Sequence, residues 1–258
     1  MAKPKTSPAR FTKQPTARRF LAELKSHQSA EELQKIQRYF KSGKGEYGEG
    51  DEFIGVRMGQ VFALAKEFME MPPDEIERLL QSPIHEARAG ALSIMAKQAA
   101  KKNTTKARKK ELFDLYIRRH DRINNWDLVD LAARDVVGGY LDGKPPSILY
   151  RLARSQNLWE RRTAILSTMY FVRQGELSHT FDIAEILIDD EEDLIHKAVG
   201  GMLREAGKKD RDKLLSFLDR YAATMPRTLL RYAMEHLDKK QRDHYRNLKI
   251  APVVIGKR

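Results

Sequence analysis

Apolar residues recur at spacings of three and four from about residue 17 onward, the period that keeps one face of an α-helix against a core. Many of these segments open with a recognisable cap. Ser29 to Glu32, Asp74 to Glu77 and Asn157 to Glu160 each read as a capping box, which sets a side-chain acceptor over the free amides of a first turn. Runs that alternate apolar and polar residues are missing, and the one short β-branched stretch, Pro252 to Ile255, sits at the tail. The pattern predicts an all-α fold of roughly a dozen helices separated by short Gly, Pro or Asn punctuation.

Consecutive helices joined by short connections pair antiparallel, and pairs of about 35 to 45 residues have the dimensions of HEAT-type repeats. Stacked pairs would form a curved solenoid with a concave basic face; a globular helix bundle is the alternative reading. Residues 1–16 carry three prolines, are basic and lack acids, so they read as a disordered arm, one that touches a partner or only solubilises. Residues 17–248 are expected to form a single domain, followed by a tail at 249–258.

Charge adds a partner to this picture. Lys and Arg number 48 against 36 Asp and Glu, a formal net charge of +12, which attracts polyanions and above all nucleic acid. Cysteine is absent, which excludes disulfides, thiolate metal sites and a cysteine nucleophile. With neither a secretory leader nor an apolar run of bilayer length, a cytoplasmic protein without membrane contact is expected. Between Lys97 and Lys110 the chain carries seven basic residues and no acid, among them Lys101, Lys102 and Lys106. This run is either a solvated helix-loop-helix or a ridge that tracks phosphates.

Two motifs fail on inspection. Gly43, Gly45 and Gly48 spell G-x-G-x-x-G, yet no strand precedes them and Glu46, Glu49 and Asp51 would repel phosphate. His85 and Glu86 begin H-E-x-x-H, but Ala89 stands where the second ligand is needed, and no histidine cluster offers another metal site. No metal or cofactor is expected.

The segment Asn124-Asn125-Trp126-Asp127-Leu128-Val129-Asp130 carries candidate chemistry. On a helix capped by Asn124 or Asn125, Trp126 and Asp130 share one face, and the helix dipole would favour an ionised Asp130. A half-buried Trp beside a solvent-facing Asp is the structural alternative. In Leu158-Trp159-Glu160-Arg161-Arg162, two adjacent arginines cannot both be buried cheaply, so at least one should face outward, toward a phosphate or a neighbouring acid.

Several stretches in order carry a resemblance: Tyr47 to Arg57, Asn124 to Asp130, Leu158 to Leu166, Asp193 to Gly200 and Met202 to Glu205. Over about Phe40 to Glu235 the chain resembles the AlkD-like DNA alkylation repair family. The resemblance implies HEAT-like helical pairs around duplex DNA, acting as a monomer, and hydrolysis of the N-glycosidic bond of N3- and N7-alkylated purines such as 3-methyladenine and 7-methylguanine. It also implies Asp130 as catalytic carboxylate, Trp126 as the aromatic lining the sugar, and Arg162 as a contact to the DNA backbone. Arg161, Lys101, Lys102, Lys106 and Arg204 are the further expected DNA contacts.

Two positions depart from the family pattern. Gly201 stands where a second aromatic of the site is common, and Gly59 where proline is expected. The loss at position 201 keeps two rivals open, a non-catalytic binder of branched or damaged DNA and a helical scaffold for acidic proteins.

Overall fold

In the computed structural model of the chain, residues 14–40, 43–44, 46 and 48–248 are described. The hydroxyl of Thr16 accepts the amide of Arg19 and starts α1 (Ala17–Lys25). Ser29 does the same for Glu32 at the head of α2 (Ala30–Phe40), as the capping box predicts. After α3 (Met58–Glu67), α4 (Pro73–Leu80) departs from expectation. Proline occupies its first position, where a missing amide costs nothing and φ is already helical, so Asp74 lies inside the first turn instead of capping it.

The central helix is α5 (His85–Ala100), buried on nearly all sides, and α6 (Lys106–Arg118) follows it. A turn of 3₁₀-helix leads into α7 (Trp126–Ala132), which continues through a π-helical stretch, Ala133–Gly138, into α8 (Gly139–Leu141). Next come α9 (Ser147–Leu152), α10 (Leu158–Ser167), α11 (Met169–Arg173) and α12 (Ser178–Ile186). Then α13 (Asp193–Gly207), α14 (Arg211–Tyr221), α15 (Arg227–Ala233) and α16 (Lys239–Asn247) are the last of the described helices. Asn157 caps α10 through the amide of Trp159 at 2.8 Å.

Contacts run in succession: α3 and α4 pack on α5, α5 on α7, α7 on α10, α10 on α13 and α13 on α15. Other helices flank this row, α6 beside α4 and α5, α12 and α14 beside α13. The fold is therefore an all-α helical repeat array in which each pair buries its apolar face on the next. One hydrophobic core runs continuously from Ala17 to Tyr245. No strand occurs among the described residues, only an isolated bridge between Glu52 and Ile84. Nor is any described helix long and apolar enough to cross a membrane. Residues 1–13 of the expected arm, the tail 249–258 with Pro252 to Ile255, and Gly45 of the glycine loop lie outside the described residues.

Two crossings depend on glycine. A Cβ at Gly200 would sit 2.6 Å from the carbonyl oxygen of Leu229, and one at Gly138 would meet the carbonyl of Ser167, so α13 and the π-helical stretch approach their neighbours only because no side chain intervenes.

Candidate active site

The first turn of α7 is fixed by two asparagines. Asn125, fully buried, accepts the Trp126 amide at 2.8 Å and donates its own Nδ2 to Asp51 at 3.0 Å, while Asn124 donates to the same carboxylate at 3.3 Å. The cap places Trp126, Asp127, Asp130 and Leu131 along one side of a cleft of about 710 Å³. Its other wall comes from Ile36, Tyr39 and Phe40 of α2 with Met58 and Phe62 of α3. Trp126 stacks on Phe40, ring centres 5.6 Å apart, and meets the edge of Tyr39 at 5.8 Å. Glu32, Lys35 and Arg57 also line the cleft. There Glu32 is held down to about 2 by hydrogen bonds from Arg57 and Lys35.

Asp130 opens onto this cleft with 40 % of its side chain accessible, and Arg162, 8 % accessible, stands behind it. The guanidinium donates from Nε to Oδ1 at 2.9 Å and from Nη2 to Oδ2 at 3.0 Å, and its Nη1 binds the carbonyl of Leu194 at 2.7 Å. A planar fork held at three points orients a carboxylate more rigidly than a single bond could. The surrounding protein pushes the Asp130 carboxyl up from its ordinary range by burial, and Arg162 opposes the rise. Support for its charge therefore comes from Arg162 and not from the helix dipole. Asp130 is the fifth residue of α7, and the dipole fades beyond the first turn, which holds Asp127 instead.

Several expected DNA contacts are placed elsewhere. Arg162 faces inward onto Asp130 and Leu194, while Arg161, partly exposed, binds Asp190 at 2.6 Å and the carbonyls of Ser155 and Gln156. Only Arg162 is buried; Arg161 stays partly exposed and takes a neighbouring acid, one of the two partners that the sequence left open. Lys101 and Lys102 follow the far end of α5, about 24 Å along the helix from His85, which touches the site. Lys101 there pairs with Glu70 at 2.9 Å. Lys106 gathers with Lys109, Lys110 and Lys144 around Tyr140 of α8, at the opposite end of the helical run that Trp126 begins. Arg204 bonds Glu205 and Glu235 and lines a separate hollow with Lys208 and Arg211.

Three site residues escaped the sequence reading because their partners are remote in sequence. His85, set aside as a broken metal motif, is fully buried against the ring of Phe53. Its Nδ1 lies 3.1 Å from Asp51 and its Nε2 2.8 Å from Asp127. Arg88 also pairs with Asp51. Burial pushes the Asp51 carboxyl up, but the bond from His85, the charge of Arg88 and the bond from Asn125 bring it to about 2. Burial likewise pushes His85 down, and the bonds to Asp127 and Asp51 carry it up to about 9.

Both shifts translate into stability. The share from Asp51 is full above its unfolded value near 3.8 and disappears as pH falls through about 2. The share from His85 is full below 6.5 and disappears as pH rises through about 9. Denaturant midpoints are expected to plateau between about pH 4 and 6.5 and to decline toward pH 9; a midpoint that instead rises from pH 6.5 to 9 contradicts the network.

Gly201 lies on α13, two turns beyond Leu194, whose carbonyl holds Arg162. A Cβ built there meets nothing within 4 Å. Since helical glycine costs backbone entropy and this one serves no close approach, Gly201→Ala is expected to stabilise the protein by about 0.5 to 1 kcal/mol, read as a raised denaturant midpoint. A destabilised variant would show that the space is not open.

The molecule so built is an all-helical repeat protein whose oriented carboxylate looks into an aromatic cleft. Its family is narrower still: the family model for DNA alkylation repair enzyme matches residues 20–237, and the chain belongs to that family. Its fold is similar to that of a predicted DNA alkylation repair enzyme from Enterococcus faecalis, with a TM-score of 0.66 at 18% sequence identity, over 83% of this chain and 98% of that chain. No curated protein matches the sequence. Membership places the chain in DNA repair, with DNA as its partner.

Proposed function

We propose that the protein is a monofunctional DNA glycosylase that hydrolyses the N-glycosidic bond of cationic N3- and N7-alkylated purines in duplex DNA. The observation that carries this reading is the pairing of Asp130, open to the cleft, with a buried Arg162 that fixes both of its oxygens. Each oxygen keeps a lone pair for a water or for a positive sugar.

An alkylated purine is already cationic and leaves as a neutral base, taking the electrons of the bond to the anomeric carbon. The sugar left behind has oxocarbenium character. Asp130 stabilises that charge and orients the water that attacks, whose proton passes to the carboxylate or to solvent. Trp126 and Tyr39 supply aromatic rings that line the cleft beside the cation. Arg162 is a positioning residue in this reading. Lys101, Lys102 and Lys106 enter it only as contacts to backbone remote from the lesion.

The test is release of 7-methylguanine and 3-methyladenine from methylated duplex DNA, measured against spontaneous depurination. Release at the spontaneous rate overturns the proposal. Gly201 favours a second reading, a non-catalytic binder of branched or damaged DNA, because the space beside it holds no second aromatic. That reading predicts tight binding of branched duplexes without any base release.

A further inference from the structure

The cleft contains a second carboxylate. Asp127 stands three residues before Asp130 on the same face of α7 and lines the same hollow, with 12 % of its side chain accessible. Its Oδ1 accepts the Leu128 amide at 2.8 Å and its Oδ2 faces Nε2 of His85 at 2.8 Å. Two neighbouring carboxylates repel, and Asp127 is one of the influences that raise the Asp130 carboxyl.

We propose that His85 is a positioning residue and Asp127 a second working carboxylate: the His85 imidazolium orients Asp127 beside Asp130, so that a second carboxylate faces the electron-poor sugar. This rests on the glycosylase reading above.

The geometry distinguishes a charged clamp from ordinary packing. Both ring nitrogens of His85 face carboxylate oxygens, and a neutral imidazole can donate only once, so the neutral ring would turn a lone pair toward an anion. The segment before α3 contributes Asp51, and α7 contributes Asp127. Within α5, Arg88 balances Asp51, while Glu86 is occupied by the backbone amides of Ile54, Gly55 and Val56. α2 contributes the uncharged ring of Phe40. Asp51, Asp127, His85 and Arg88 thus sum to zero charge, and losing the imidazolium leaves one uncompensated negative charge beside Asp130. The rise of His85 to about 9 agrees with this arrangement.

The experiment pairs nuclear magnetic resonance with kinetics on the full chain. In the unaltered protein, ¹⁵N signals of His85 are expected to show both nitrogens protonated through neutral pH; a neutral ring at pH 7 overturns the proposal, whatever any variant does. In His85→Gln, which keeps a donor but no charge, the carboxyl ¹³C titration of Asp130 is expected to move to higher pH. An unmoved titration in a folded variant overturns the coupling. Base release by His85→Gln at neutral pH is expected to drop at least about tenfold, with its acid limb shifted upward and DNA affinity kept. A uniform drop with an unshifted limb marks a merely structural histidine and overturns the proposal. If the unaltered protein releases no base, the glycosylase reading fails, while the two resonance measurements still decide the clamp.

Discussion

Asp130→Asn is expected to lower release of 7-methylguanine from methylated duplex DNA by at least about a hundredfold, the scale set by removing a principal electrostatic stabiliser. The asparagine is nearly isosteric and keeps one of the two bonds from Arg162 through its carbonyl oxygen, while its amide nitrogen cannot accept the other. What disappears is the negative charge. Asp130 is exposed enough that its loss does not empty the core, and the chain should fold at a cost of about 1 to 3 kcal/mol, because the buried Arg162 loses its counter-charge and one acceptor. Affinity for duplex DNA should hold or improve, since an anion facing a polyanion has been removed. Release at the unaltered rate would take Asp130 out of its role and leave the cleft without its proposed chemistry.

The largest expected effect on stability lies at Glu86→Ala, about 3 to 5 kcal/mol. Glu86 is fully buried, and its Oε1 accepts the amides of Ile54 at 3.0 Å, Gly55 at 2.9 Å and Val56 at 3.2 Å. Gly55 turns through φ +78°, where a side chain would be strained, and presses against the carbonyl of Ser29. Without the carboxylate, buried amides lose their acceptor and water has no way in to replace it. The same segment holds Asp51, so the clamp on His85 and the caps of α7 should loosen with it. Urea unfolding measures the loss, and Glu86→Gln should recover part of it because one amide oxygen can still accept. A cost below about 1 kcal/mol for the alanine variant would mean that these amides find other partners.

Position 201 illustrates how sequence and structure divide the work. A glycine in mid-helix contradicts local propensity, and the resemblance to the family implies an aromatic at this position. Only the packing shows that the space beside it is open, in contrast with Gly200 next to it, which a side chain would drive into Leu229. Adjacent glycines in one helix therefore have unrelated reasons.

Periodicity and capping residues were sufficient for the helical class, for a cap at Asn124 or Asn125 and for Trp126 and Asp130 on one face, because those features involve residues within a few positions of one another. The capping box at Asp74 failed over a local competitor, the proline at the first helical position. Nothing local could reveal that Arg162 turns to Asp130 instead of outward, that Lys101 ends up at the far end of α5, or that a histidine at position 85 bridges Asp51 and Asp127. Those placements follow from which helices stack side by side. Stacking is decided by the fit of whole apolar faces, while a charged side chain takes whichever partner that stacking brings within about 3 Å.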